Sequence, residues 1–133
     1  MSLRDRNCAP TQPGQAPLTD ADIALLLPEI PGWKIVRVPD RPTQSGANQL
    51  RKTFSFEDFL GAMTFVNRIA ALAEAEQHHP DFAVHYSKVE VTIWTHSVGG
   101  LTDNDFILAA KIEGKTEGKT DDKTAGRPDR SPA

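Results

Sequence analysis

The sequence predicts an α+β domain, a largely antiparallel sheet with helices packed on one of its faces. Three observations carry this expectation. Two strand patterns, Trp33–Val38 and Leu50–Phe54, follow one another with no helix between them, which favours an antiparallel pair over a parallel crossover. A long stretch after Ser55 keeps apolar residues at helical spacing. The run Val84–Thr95 alternates, with Val89, Val91 and Ile93 on one side and Lys88, Glu90 and Thr92 on the other, as in a sheet covered on one face.

Each element has its own signals. Thr19 and Asp22 form a capping box for a first helix carrying Ile23, Leu25, Leu26 and Leu27, and Pro28 with Pro31-Gly32 closes it. Trp33–Val38 alternates with period two and reads as a half-buried strand. A turn rich in Pro and Gly over 39–47 leads into the second strand around Leu50–Phe54. Ser55 and Asp58 then cap the longest helix, with Phe54 and Phe59 placed as a hydrophobic staple. Phe59, Met63, Val66, Ile69 or Ala70, and Ala73 share its predicted inner face. That helix is expected to run to His79-Pro80, because proline disfavours helical geometry in the residue before it. The long strand follows, with a possible further strand near 82–86. Gly99-Gly100 makes a turn, and Thr102 with Asp105 caps a last helix over Phe106–Glu113.

The chain has 133 residues, room for one domain, and its composition is uneven. Residues 1–17 hold three of the ten prolines and almost no large apolar side chains, and are expected to be disordered. Residues 114–133 contain no Val, Ile, Leu, Met or aromatic residue and read as a disordered charged tail. The folding unit is therefore 18–113, with 8 basic against 13 acidic residues. That acidity argues against nucleic-acid binding, which needs a basic face to displace phosphate counterions. No apolar run approaches a membrane span, and the first residues carry no apolar leader, so no membrane contact and a cytoplasmic location are expected. The single cysteine, Cys8, can form neither an internal disulfide nor a thiolate zinc site.

The chemistry concentrates between Glu74 and His96, a window that holds all four histidines: His78, His79, His85 and His96. Glu74 and His78 are four apart, which on a helix puts them on one face within hydrogen-bonding reach. Adjacent His78 and His79 point different ways, and His96 arrives at a strand end, where residues are free to act. Other readings stand beside catalysis. Paired surface histidines are common. A metal site is disfavoured, since helical zinc sites space two histidines four apart and no third and fourth ligand is evident. His85 shares its strand parity with Val89 and Val91, and is set aside as a core or edge residue.

The pattern Glu74-x-x-x-His78-His79-Pro80, Phe82, Tyr86, Lys88-Val89-x-Val91-x-Ile93-x-Thr95-His96 and Gly100-Leu101-Thr102-x-x-Asp105, with Gly32-Trp33 upstream, resembles the pterin-4a-carbinolamine dehydratases. The resemblance covers nearly all of 18–113 and fixes several rare residues over more than twenty positions. It implies a four-stranded antiparallel sheet with three helices. It also implies edge-to-edge homodimers and often homotetramers, which hide sheet edges that would otherwise aggregate. By the same resemblance His78, His79 and His96 are the active-site histidines, and Glu74 is the acidic residue that opens the motif. Asp105 is the acidic residue of the last helix, beside its role as a cap. Phe82 stands where the family often has tryptophan, and Phe82, Tyr86, Thr95 and Asp105 are expected to contact substrate.

The implied reaction is dehydration of 4a-hydroxytetrahydropterin to quinonoid dihydropterin, as in tetrahydrobiopterin recycling. It delivers a proton to the departing hydroxyl and withdraws one from ring nitrogen 5, with no cofactor and no metal. Imidazoles suit this because both their forms are populated near neutrality. Glu74 is expected to hold His78 in one tautomer. The alternatives are a non-catalytic scaffold or assembly factor on the same fold, or a transcriptional coactivator; the intact motif favours the enzyme.

Overall fold

The computed structural model describes residues 2–38 and 47–116. Thr19 and Asp22 exchange the two capping-box hydrogen bonds, and α1 runs Asp20–Leu26. Strand β1, Lys34–Val38, pairs antiparallel with β2, Ala47–Ser55. Helix α2 spans Phe59–Glu76, strands β3 and β4 span Asp81–His85 and Lys88–Ile93, and α3 spans Asp103–Glu113. All strand pairs are antiparallel, in the order β1-β2-β4-β3, so β1 and β3 are the outer strands. This is the predicted α+β architecture, a four-stranded antiparallel sheet with three helices in a single small domain. Among the described residues no helix is long and apolar enough to cross a membrane.

The register explains why one face is covered. Leu50 lies opposite Ile93, and Phe54 opposite Val89, and all four are fully buried with Val91. Their neighbours Thr53 and Lys88 are exposed. All three helices send residues to this one face: Ile23 from α1, Phe65 and Ile69 from α2, and Phe106, Leu108 and Ile112 from α3. Phe54 lies between the rings of Trp33 and Phe65, at 5.9 and 4.7 Å. Each such ring withdrawn from water contributes about 1.5–3 kcal/mol.

Four expectations are corrected. First, Ser55 does not start α2 but ends β2; Asp58 is the cap, accepting from the Gly61 amide at 2.8 Å. The inner face of α2 is consequently Ala62, Phe65, Ile69 and Ala73, while Phe59 is 51% exposed and makes no staple. Second, Val84–Thr95 is not one strand. The chain reverses at Tyr86-Ser87, and the further strand near 82–86 is β3. The signal was hidden because Tyr86 turns with φ 53°, a conformation bulky side chains rarely adopt and glycine usually supplies. The reversal shifts the parity by one, so Val84 lies opposite Val89, and His85 opposite Lys88 on the exposed face.

Third, the N-terminal segment expected to be disordered is packed. Leu3 is 3% exposed within the core, in a 3-10 turn over Leu3–Asp5, and Cys8 donates its amide to Glu76 Oε1 at 2.8 Å. Fourth, α2 stops at Glu76, three residues before the expected end. The turn over 39–46 and residues 117–133 of the expected tail lie outside the described residues.

Candidate active site

The early end of α2 decides where two histidines go. Gln77 adopts φ 55° and ψ 39°, the left-handed conformation that closes a helix, and the His78 amide donates back to the Ala73 carbonyl at 3.2 Å. His78 is thus already outside the helix, and the spacing that would pair it with Glu74 no longer applies. Glu74 pairs with His79 instead, Oε2 to Nε2 at 2.6 Å. Both side chains are largely exposed, so this contact is worth at most about 1 kcal/mol.

His78 reaches Asp105, across 27 residues of sequence, with Nε2 2.6 Å from Oδ1. Asp105 is fully buried, and its other oxygen accepts from the Thr102 amide and the Thr95 hydroxyl, each at 2.8 Å. The Thr95 and Thr102 hydroxyls also lie 3.0 Å apart. Burying a carboxylate is costly unless its oxygens are hydrogen-bonded, and here both are. The expected helix cap is therefore real, with Asp105 capping Thr102 in a capping box. The same carboxylate also holds the imidazole. A carboxylate only accepts, so as a carboxylate Asp105 takes its hydrogen bond from an Nε2–H of His78.

His96 comes from the turn after β4. Thr95 bridges to Gly100, and Gly99 takes φ 77°, which closes the turn. The His96 ring stacks on Trp94, with centroids 4.1 Å apart and planes inclined by 33°. A cavity of about 890 Å³ opens here, and His78, His79, Thr95, His96 and Trp94 all line it. The structure thus brings together the three histidines, Thr95 and, through His78, Asp105.

The other expected contacts lie elsewhere. Phe82 faces the core opposite Val91, and Tyr86, 69% exposed, sits at the hairpin tip; neither lines the cavity. Their proximity to the histidines in sequence is undone by β3, which leads away from the cavity after Asp81. Glu74 also stands outside the lining, and Glu76 is there in its place. Trp94 went unrecognised, although an aromatic continuing the polar side of β4 was a signal.

A family model described as pterin 4 alpha carbinolamine dehydratase matches residues 16–115. The chain belongs to the pterin-4a-carbinolamine dehydratase family. A protein of Halorhodospira halophila, provisionally named pterin-4-alpha-carbinolamine dehydratase, is 41% identical over 113 residues, covering 85% of this chain and 96% of that one. One of the same provisional name from Chromobacterium violaceum is 44% identical, covering 85% and 94%. A crystal structure described as a transcriptional coactivator/pterin dehydratase from Brucella melitensis superposes with a TM-score of 0.63 at 31% identity, covering 75% of this chain and 98% of that one. A pterin dehydratase-like protein identified as a RuBisCO assembly factor in the alpha-carboxysome has a TM-score of 0.52 at 19% identity, and shares the fold.

In this dehydratase-family chain the cavity has a second side, formed by Cys8, Ala9, Pro10 and Thr11. The Cys8 amide donates to Glu76 Oε1 at 2.8 Å, and its thiol donates to the Asn104 carbonyl at 3.5 Å. Burial, and then the neighbouring Glu76 carboxylate, push the thiol pKa up to about 12. Only the thiolate is nucleophilic, so Cys8 is no nucleophile at neutral pH. Iodoacetamide at pH 8 is expected to alkylate Cys8 at least ~100-fold more slowly than a free thiol, followed by intact-mass spectrometry. Labelling at the free-thiol rate would contradict the buried setting. Because the folded value lies above the ordinary 9.0, the folded chain holds this proton longer, and stability falls as pH rises from 9.0 towards about 12. Among the described residues no group of three or more His, Cys, Asp or Glu is disposed to hold a metal.

Proposed function

We propose that this family member dehydrates 4a-hydroxytetrahydropterin to quinonoid dihydropterin and water by histidine acid/base catalysis, as in tetrahydrobiopterin recycling. The observation that carries the reading is the buried Asp105 on His78 Nε2, in a cavity shared with His79 and His96. Water loss breaks the bond from carbon 4a to the hydroxyl oxygen, removes the proton on nitrogen 5, and forms the double bond between carbon 4a and nitrogen 5. His78 is the base for nitrogen 5: it accepts at Nδ1 while Asp105 orients the ring and stabilises the imidazolium that results. His96, whose ring packs at a tilt against Trp94, or the exposed His79 protonates the leaving hydroxyl. Thr95 acts through Asp105, because its hydroxyl is already committed to that carboxylate.

Subunits joined along β1 and β3, the outer strands of the sheet among the described residues, belong to the same reading, since a strand edge invites pairing. The purified chain is expected to raise the rate of water loss from a synthetic 4a-hydroxytetrahydropterin above its spontaneous rate, read from absorbance of the quinonoid product. A rate equal to the spontaneous one overturns the reading.

A further inference from the structure

The N-terminal strap that forms the second side of the cavity lies outside the part of the chain that the family model matches, which begins at residue 16. It is held by side chains from the elements that carry the histidines and Asp105. Glu76, in the last turn of α2, accepts the Cys8 amide at 2.8 Å. Asn104, in the first turn of α3 and next to Asp105, clasps Ala9 from both sides. It accepts from the Ala9 amide at 2.9 Å and donates to the Ala9 carbonyl at 2.7 Å. Ser97, beside His96, lies 3.3 Å from Thr11 through their hydroxyls. Arg6 pairs with Asp103 at 3.2 Å, and Leu3 anchors the start of the strap in the core. At the far end Pro17 crosses Gly100 so closely that a Cβ there would meet the proline Cβ at 2.8 Å. Position 100 leaves no room for a side chain, and the strap uses that space.

Such anchoring does more than fill a surface. It sets Cys8–Thr11 at a fixed place in a cavity whose other side carries the imidazoles. The cavity, about 890 Å³, is near the upper end of the range that pockets for drug-sized ligands span, so a bicyclic ring at the histidines leaves space beyond it. In a pterin, carbon 6 is bonded directly to nitrogen 5, the atom that must lose its proton. A substituent on carbon 6 therefore leaves the ring one bond from the reacting centre and must be accommodated by the rest of the cavity.

We infer that the strap Cys8–Thr11 is the wall that receives the substituent at pterin carbon 6, and that it sets which pterin the site accepts. Asn104 is the positioning residue for this wall, and the Thr11 hydroxyl is its polar contact. The inference rests on the dehydratase reading above.

The test compares two carbinolamine substrates, one with a dihydroxypropyl group at carbon 6 and one with a methyl group, on wild type, Asn104→Ala and Thr11→Val. A site that hydrogen-bonds a hydroxylated substituent discriminates through it, so Asn104→Ala is expected to lower kcat/KM for the dihydroxypropyl substrate at least ~5-fold more than for the methyl one. Thr11→Val, a near-isosteric change on the strap, keeps the test open where Asn104→Ala disturbs folding. It is expected to shift the same ratio in the same direction, mainly through KM. Equal losses on both substrates, or an unchanged ratio in both variants, overturn the assignment and leave the strap a structural brace. A wild type that accelerates neither substrate removes the dehydratase reading, and this inference with it.

Discussion

Replacing His78 or His96 by alanine is expected to slow dehydration of 4a-hydroxytetrahydropterin by ~100-fold, the size of a lost general acid or base. The two losses have different origins. His78→Ala removes the imidazole that Asp105 orients, and with it the proposed acceptor for the nitrogen 5 proton. His96→Ala removes the ring stacked on Trp94 and a proposed donor to the hydroxyl. His96 is exposed, so its loss should leave the fold intact, as far-UV circular dichroism would show. His78 is half-buried and its removal leaves Oδ1 of Asp105 without its partner, so a modest loss of stability should accompany the loss of rate. Wild-type turnover in both variants would remove the histidines from the mechanism.

Asp105→Ala is expected to cost about 3 kcal/mol of stability and most of the activity together. Three donors depend on this one buried carboxylate: the Thr102 amide, the Thr95 hydroxyl and His78 Nε2. Alanine leaves the Thr102 amide without its side-chain acceptor and the Thr95 hydroxyl with only the Thr102 hydroxyl, and opens a void beside them. For a domain of this size such a change lowers the melting temperature by about 15 °C. Asp105→Asn keeps the volume and one acceptor oxygen, and should recover part of the stability but little of the rate, because a neutral amide does not stabilise the imidazolium of His78. Thermal unfolding and turnover on both variants separate the two roles. A melting temperature within about 2 °C of wild type for Asp105→Ala would show that the network contributes little.

Much of the fold was legible because its signals are local. The capping boxes at Thr19 and Thr102 name both helix starts within four residues, and the alternation through Val89, Val91 and Ile93 names the buried face of β4. What failed depended on backbone conformations that the residue types do not announce. Gln77 and Tyr86 both take positive φ without being glycine. The first moved His78 off the helix and exchanged Glu74 for Asp105 as its partner. The second cut one apparent strand into a hairpin and turned His85 away from the core. The family resemblance puts Phe82 and Tyr86 at the substrate, and β3 carries both away from this cavity. The N-terminal segment was misjudged because mean composition says little about a strap. Leu3, Cys8 and the Ala9 backbone suffice to fix it, provided Glu76 and Asn104 are waiting.

Asp105 illustrates how a residue can be read correctly and still be underestimated. Its spacing from Thr102 explains it fully as a cap, and nothing in a linear sequence adds that its other oxygen faces an imidazole 27 residues away. The cap is what makes the site precise. A carboxylate locked by a backbone amide and a buried hydroxyl has no freedom to swing away, so the ring it holds is held as well.

The most direct measurement is stopped-flow formation of quinonoid dihydropterin from 4a-hydroxytetrahydropterin, by the wild-type chain and by the double variant His78→Ala/His96→Ala. The wild type is predicted to exceed the spontaneous rate, and the folded double variant to fall back to it. A folded wild type that adds nothing to the spontaneous rate, or a double variant that matches the wild type, would contradict histidine-driven dehydration in this cavity.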